Sequence, residues 1–521
     1  MNLGLYLARS ARFWPDRPAI IFQDRVISFL ALERRTNRLA HALLAMGLKR
    51  GDRVAIVAHN RPEIIELECA LYKAGLVKVA LNARLAIAEL ADALANAEPI
   101  ACFAGPQHQS IIEAAAADVP GLRYRIAIAS PQRSQQWLDY ESLLKEAAEE
   151  HIHVKMQPNE LAVLHYTSGS TGKLKAARQT VGNRMAALTK VVMGRMHAQK
   201  DDVMMLSGPI THASGMFIQP MLYQGVTLLV MEHFRPPEIL EAIEKHKVTI
   251  CFFVPTMINA LLAEPSLGSR DLSSLRLVSY GAAPMSPARI KEAWTAFGPV
   301  LSQGYGAGET TGGVIALTID DHRLAIEGDR AELLGSCGRP VSFSDIQVLN
   351  EQGNPVQEGE IGEICVRGPD VFDGFWKAPQ ATSDALDQDG WLHTGDLARI
   401  DSLGYIYIVD RKKDMLVSGG FNVYPNEVEA ALAQHPAVYE VCVVGIPDAR
   451  WGEAVKAVVV LRQGAIATDK ELMAFCRERL AGFKQPRSVD FVDMLPKNAN
   501  GKLSRKEVRE PYWRGHERRV N

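Results

Sequence analysis

The sequence has no run of the ~18 apolar residues that a membrane-spanning helix needs. Its apolar strings are short, as at residues 76–81, where Lys78 interrupts the run. Neither sign of charge dominates: 58 Lys and Arg stand against 60 Asp and Glu, for a formal net charge of −2. The basic domain or stripe of a dedicated nucleic-acid binder is therefore missing. The seven cysteines (Cys69, Cys102, Cys251, Cys337, Cys365, Cys442, Cys476) contain no CxxC pair, which removes the zinc-ribbon and thioredoxin-like readings. Scattered and odd in number, they are expected to be reduced core thiols of a cytoplasmic protein. There is no internal repeat and no low-complexity tract. Arg9 and Arg12 precede the first acid, Asp16, but a long apolar segment and a small-residue cleavage site are lacking. The first residues are therefore read as a helix of the fold and not as a targeting peptide.

What is present is an ordinary globular composition, 47% hydrophobic and 23% charged over 521 residues, long enough for more than one folding unit. Ser28 can cap a helix carrying Leu32, Leu39, Leu43 and Met46, with Gly47 at its end. Residues 53–58 read as a buried strand. Pro62 opens the next helix, Gly75 closes it, and 76–81 is strand again. Such alternation predicts a largely parallel sheet covered by helices. Residues 336–410 are instead rich in β-formers and turn pairs, which predicts a small β-barrel or antiparallel sheet. A smaller α/β alternation resumes after Asp414, with a helix after Pro425-Asn426, strands at 441–444 and 455–460, and a helix over 469–480. The basic end (Arg505, Lys506, Arg509, Arg514, Arg518, Arg519) is read as solvated.

The segment Tyr166-Thr167-Ser168-Gly169-Ser170-Thr171-Gly172-Lys173-Leu174-Lys175 follows a largely apolar run at 161–164 that reads as a strand. Small hydroxyl residues and glycines let a backbone come close to an anion, and lysine adds positive charge. Its spacing is not that of a Walker A loop, because Gly169 and Gly172 are too close and Leu174 follows Lys173.

This loop resembles the signature of the adenylate-forming (AMP-binding) superfamily, which includes acyl-CoA synthetases and peptide-synthetase adenylation domains. Leu174 stands for the usual proline and Ala176 for the closing glycine. Further segments resemble the family's in the same order over nearly the whole chain. Pro209-Ile210-Thr211-His212-Ala213-Ser214-Gly215 is similar to its P-x-x-H-x-x-G, where His212 would lie beside the carboxyl-activation site. Gly281-Ala282-Ala283-Pro284 resembles the turn that lies against adenine. Gln303-Gly304-Tyr305-Gly306-Ala307-Gly308-Glu309-Thr310 resembles G-Y-G-x-T-E-T. Tyr305 would stack on the base, and Glu309 would be the magnesium ligand. Gly308 departs from the family threonine, whose hydroxyl contacts the α-phosphate. Either that contact is lost, unless water or Thr310 substitutes, or glycine is demanded by a strained turn, or Gly308 makes room for a bulky acyl group; small neighbours Ala213 and Ala307 favour the last. Thr394-Gly395-Asp396 would give the ribose its acceptor, Asp396. Asp410-Arg411-Lys412-Lys413-Asp414 resembles the hinge, with Arg411 toward ribose or phosphate and Lys413 as the pivot. Ser418-Gly419-Gly420 would line the pantetheine channel, and Trp451 would contact the CoA nucleotide or simply pack at an interface. Lys502, in Pro496-Lys497-Asn498-Ala499-Asn500-Gly501-Lys502, would be the catalytic lysine.

The resemblance implies an α/β fold: a large N-terminal domain (1–412) of helix-covered mixed sheets with a small β-barrel at about 336–410, and a small mobile α+β domain (413–521). It implies an ATP- and magnesium-dependent acid–CoA ligase whose nucleotide and CoA site comprises Thr167, Ser168, Gly169, Ser170, Thr171, Gly172, Lys175, Gly281, Ala282, Ala283, Gly304, Tyr305, Gly306, Thr310, Asp396, Arg411, Lys413, Gly419, Gly420 and Trp451. The acid would lie against His212, Phe253, Gly281, Ala307 and Gly308, with Lys502, His212 and Glu309 catalytic. A stand-alone adenylating enzyme that loads a carrier protein, and a nucleotide-binding homologue impaired by Gly308, are the competing readings. The identity of the acid, fatty or aryl, and assembly as a homodimer are left open.

Overall fold

The computed structural model describes all residues except 1, 118, 120, 130–135, 169–173, 342, 499–501 and 515–521, and the side chains of Ser168 and Arg195 are likewise not described. Two large sheets form the body of the chain. One has nine strands in the spatial order Arg339–Pro340, Gly312–Leu317, Leu301–Ala307, Leu277–Gly281, Ile250–Phe253, Val203–Leu206, Thr227–Val230, Pro18–Phe22 and Arg25–Ser28. From Leu301–Ala307 through Pro18–Phe22 its strands are parallel. The other runs Leu138–Asp139, Tyr124–Ala127, Ala101–Ala104, Arg53–Val57, Val77–Leu81, Leu161–Ser168 and Leu174–Thr180. It is parallel except at its last pair, a hairpin.

Local signals explain the helices that cover these sheets. The Ser28 hydroxyl accepts from the Ala31 N–H and caps Phe29–Ala45, which satisfies a donor that the first helical turn leaves orphaned. Pro62 opens Pro62–Ala74, and Gly75 closes it in the left-handed region at φ 68°. Leu32, Leu39 and Leu43 from the first helix join Ile65 and Leu71 from the second, and Ile56, Met204, Leu228 and Ile250 from both sheets, in one core. The N-terminal helix is Leu5–Phe13. All seven cysteines are buried and free, and no described helix is long and apolar enough to cross a membrane.

The lysines inside this core are paired. Lys78, in the middle of Val77–Leu81, meets Glu68, which also accepts from Gln219 at 3.2 Å. Lys73, its side chain fully buried, donates to Glu33 at 2.5 Å and to Asn37 at 2.6 Å. Removing one partner of such a pair strands the other charge, at a cost of about 3–5 kcal/mol. Glu33→Ala is therefore expected to lower the unfolding midpoint in chemical denaturation, and Lys73→Met/Glu33→Leu to recover most of the loss.

The turn-rich segment forms Asp345–Leu349, Gly362–Arg367, Leu392–Ile400 and Ile406–Arg411, all antiparallel. Of the small β-barrel or antiparallel sheet expected from the sequence, the strands form the sheet, with Asp345–Leu349 and Ile406–Arg411 at its two ends, joined to the nine-stranded sheet by the bridge Gly338–Ile406. Beyond it lies a smaller sheet of Phe421–Val423, Leu416–Ser418, Gly452–Leu461 and Val438–Asp448, with Ser488–Phe491 paired to Gly452–Leu461. Helices Pro425–Leu432 and Asp469–Arg477 accompany it. Arg505 corrects the reading of the C-terminal end as solvated. Its guanidinium pairs with Glu429 and donates to the Val443 carbonyl at 2.7 Å and to Asn426 at 3.1 Å. Arg518 and Arg519 lie outside the described residues.

Candidate active site

The hairpin Leu161–Ser168/Leu174–Thr180 sets Thr167 opposite Lys175. Gly169, Ser170, Thr171, Gly172 and Lys173 lie outside the described residues, as does the Ser168 side chain. Lys175 holds its ammonium 5.5 Å from the Phe375 ring. Alternation along the strand puts His165 and Thr167 on one face, and the Thr167 hydroxyl donates to Glu309 at 3.4 Å.

Two glycines beside this hairpin are required by close backbone approach. Gly281 is the cross-strand partner of Gly304, and a Cβ on it would stand 2.1 Å from the Gly304 carbonyl oxygen. A Cβ on Gly306 would stand 2.1 Å from the Gly312 oxygen. Ala282 follows at φ 66°, so this turn lies in the left-handed region without a glycine there; Ala283 is half-buried next to it. The Tyr305 hydroxyl donates to Asp396 at 2.7 Å. Arg411, the cross-strand partner of Asp396, brings its Nε to 3.2 Å from the other carboxylate oxygen.

Lys502 is fixed by contacts with the residues that flank it. The Asn498 N–H donates to the Lys502 carbonyl at 2.8 Å, the Lys502 N–H donates to the Asn498 side chain at 3.1 Å, and Lys497 bridges Leu503. The field of Lys502 reaches Glu309, Asp396, Arg411 and His212. Burial, reinforced by Arg411, lowers its pKa to about 8. Burial, then Lys502, lowers that of His212 to about 4, so this ring is neutral at pH 7. Burial raises the pKa of Glu309. A second ring stands by His212: that of His165, 5.3 Å away between centroids, whose pKa burial and His212 hold well below the ordinary value.

Gly308 is buried. A Cβ there would lie 2.7 Å from His165 Cδ2, 3.0 Å from Thr167 Cγ2 and 3.3 Å from His165 Nε2. The expected room for a bulky acyl group at Gly308 is thus occupied by His165. Gly308 is not among the glycines at positive φ, so strain does not demand it either. The Thr310 hydroxyl donates to the Gly312 carbonyl at 2.7 Å and accepts from the Ala307 N–H at 2.9 Å, inside the turn.

Phe253 is buried 6.3 Å from the Phe234 ring in a separate core. It is Phe252, on the other face of the strand, that meets Phe217 at 5.3 Å. Phe217 lines a cavity together with Ala187, Val191, Met196, Met216, Leu277, Thr311, Gly312, Gly313, Ser279, Ser302 and Lys190. Neither Phe253, Gly281, Ala307, Gly308 nor His212 lines it, and Ala307 is exposed. The cavity is nevertheless built from the residues that follow His212 and Glu309.

Lys413, Gly419 and Gly420 are exposed. Gly419 donates its N–H to the Trp451 carbonyl at 2.9 Å, and Arg450 and Arg487 lie over the Trp451 ring at 4.6 and 5.3 Å.

Among the described residues no three His, Cys, Asp or Glu side chains could together hold a metal ion. Glu309 offers one hard carboxylate, kept short of full counter-charge by burial. That suits magnesium, which takes one or two carboxylates and completes its shell with water and substrate phosphates.

The family model for the AMP-binding enzyme matches residues 7–376, and that for the AMP-binding enzyme C-terminal domain matches 427–502. A feruloyl-CoA synthase of Amycolatopsis sp is 38% identical over 513 residues, covering 98% of this chain and 99% of that protein. The medium/long-chain-fatty-acid–CoA ligase FadD8 of Mycobacterium tuberculosis is 36% identical over 530 residues, 99% of this chain and 91% of that protein. The crystal structure of ATP-bound MatB from Rhodopseudomonas palustris superimposes with a TM-score of 0.87 at 32% identity, covering 99% of this chain and 100% of that one.

Proposed function

The chain belongs to the AMP-binding enzyme family, and on that premise we propose how its residues divide the work of an ATP-dependent acid–CoA ligase. The reaction has two halves. A carboxylate attacks the α-phosphate of ATP and releases pyrophosphate, and the thiol of CoA then displaces AMP from the acyl-adenylate. The first half is needed because oxide is a far poorer leaving group than AMP.

In the proposed division Asp396 accepts from the ribose hydroxyls, aided by Arg411, and Tyr305 packs on the base. The Thr167 hairpin faces the phosphates. Lys502 bridges carboxylate and α-phosphate, where a fixed cation offsets charge that grows in the transition state. Glu309 would hold magnesium, which when bound would supply neutralising charge to the triphosphate. The convergence of Lys502, Glu309, Asp396 and Arg411 carries this reading. We further assign residues 1–412 and 413–521 to two domains. Rotation about Lys413 would bring Lys502 up for the first half-reaction and Gly419-Gly420 for the second, a gating motion. The seven buried free thiols suit a reducing compartment, and we assign the enzyme to the cytoplasm.

We infer an aryl acid with a polar ring substituent as substrate. Gly312 and Gly313 add no side chains to the cavity wall, Met196, Met216 and Phe217 supply apolar contact, and Ser279 offers a hydroxyl, while that of Ser302 donates to the Leu317 carbonyl at 3.2 Å. Incubation with ATP, magnesium, CoA and a panel of cinnamic, hydroxycinnamic and medium-chain fatty acids tests both statements. AMP and thioester should appear together, with the highest kcat/KM for a hydroxylated aryl acid. AMP without thioester would point to a carrier protein, and a fatty-acid optimum would replace the aryl assignment.

The titration of Lys502 gives a pH test. Its ammonium is the active form, so kcat/KM for pyrophosphate exchange should fall tenfold per unit above pH about 8. Lys502→Arg should lower the rate but remove that alkaline limb, because guanidinium does not titrate there.

A further inference from the structure

His165 has no part in the division of labour above, yet its ring stands where a side chain at position 308 would be. The inference rests on the adenylation reading of this site. The Gly308 backbone is fixed: its carbonyl accepts from Gln179 Nε2 at 2.9 Å and from the Thr311 N–H at 3.2 Å. A Cβ added there would press to 2.7 Å on His165 Cδ2 and 3.0 Å on Thr167 Cγ2. His165 is only 8% exposed and sits on a strand interior, so it too has little freedom to retreat. The glycine and the histidine therefore fit only as a pair.

The position of Nε2 gives the pair a chemical meaning. It lies 3.3 Å from the absent Cβ, on the same strand face as the Thr167 hydroxyl that reaches Glu309. Among the described residues neither ring nitrogen of His165 has a hydrogen-bond partner. Burial first, and then the fields of His212, Arg184, Lys78 and Lys502, hold the pKa of the ring well below its ordinary value, so the imidazole is neutral. A neutral imidazole keeps one N–H to donate, at no cost in further positive charge.

We propose that His165 is a catalytic residue of the adenylation step: its Nε2–H donates to a phosphate oxygen at the reacting centre, from the volume that Gly308 leaves open. A hydroxyl on residue 308 and an imidazole on residue 165 are then alternative ways to place one donor at the same point, and this chain uses the second.

The test is a small variant set measured by pyrophosphate exchange, by AMP affinity in calorimetry and by thermal melting. Gly308→Thr should lose about 30-fold or more in kcat/KM and melt several degrees lower, because it clashes with His165. His165→Ala/Gly308→Thr should melt near wild type and regain at least about tenfold over Gly308→Thr, since neighbouring sites couple. His165→Gln, which keeps an N–H of similar reach, should retain kcat within about fivefold. His165→Leu, which fills the space without a donor, should lose about 30-fold in kcat with an unchanged melting temperature. The melting comparison reports on the pairing even if the adenylation reading fails. A Gly308→Thr variant as fast and stable as wild type, a double variant no better than Gly308→Thr, or equal kcat for His165→Gln and His165→Leu would each overturn the proposal.

Discussion

Lys502→Ala is expected to lose about 10²–10³-fold in pyrophosphate exchange, the range found when one fixed charge or donor is removed from a transition state. Thioester formation from supplied acyl-adenylate and CoA should stay within a few-fold of wild type. The asymmetry follows from where Lys502 sits. Its ammonium shares a field with Glu309, Asp396 and Arg411, and burial disfavours its charge, so a charge-bearing phosphate is the partner it lacks. Its turn is anchored to the small sheet, because Arg505, three residues on, grips Glu429, Asn426 and the Val443 carbonyl. In the proposed rotation that sheet turns away for the second half-reaction, and Lys502 would leave with it. Stability should change little, since burial, the largest influence on Lys502, already disfavours its charge. The two half-reactions measured separately decide the matter: equal loss in both would make Lys502 a structural residue.

How far the sequence could be read depended on whether the information was local. Ser28, Pro62 and Gly75 act through their own backbone neighbours, so the ends of the first helices were legible within a residue or two. The order of glycine-rich segments was legible for the same reason, and Gly281 and Gly306 do stand where a Cβ has no room. Side-chain direction was harder. Phe252 and Phe253 are adjacent in an apolar run, and only the pairing of Ile250–Phe253 with its neighbours decides which ring reaches the cavity side. Arg505 looked like part of a charged end, and only the fold brings Glu429 and Val443 to it. His165 could have been found: alternation from Thr167 puts it on the ligand-facing side of the strand. What could not be read is its contact with Gly308, because 143 positions of chain separate the two, from 165 to 308.

Gly420→Leu should do the reverse of Lys502→Ala, losing about 10²-fold in thioester formation while pyrophosphate exchange remains nearly normal. In the observed arrangement, which we assign to adenylation, Gly420 is exposed, and a Cβ on it would meet nothing within 4 Å. A leucine at this position therefore has room in that arrangement, and adenylation proceeds. In the proposed rotation the side chain would become an obstacle only when the small sheet turned Gly419-Gly420 toward the acyl-adenylate and the pantetheine arm had to pass. Backbone strain is a separate effect, because Gly420 is at φ 83° and a side chain there costs about 1–2 kcal/mol. Gly420→Asn separates the two, since asparagine tolerates the left-handed region better than leucine while still adding a side chain. If obstruction governs, Gly420→Asn also slows the thiol step, in proportion to its smaller bulk, and raises KM for CoA. Strain alone would lower the melting temperature of Gly420→Leu and slow both half-reactions. Gly419 is the wrong place for this test: its Cβ would stand 2.5 Å from the Trp451 ring, so a variant there would disturb Trp451 before any thiol arrived. Unimpaired thioester formation by Gly420→Leu would remove the channel from Gly419-Gly420 and require another route for the thiol.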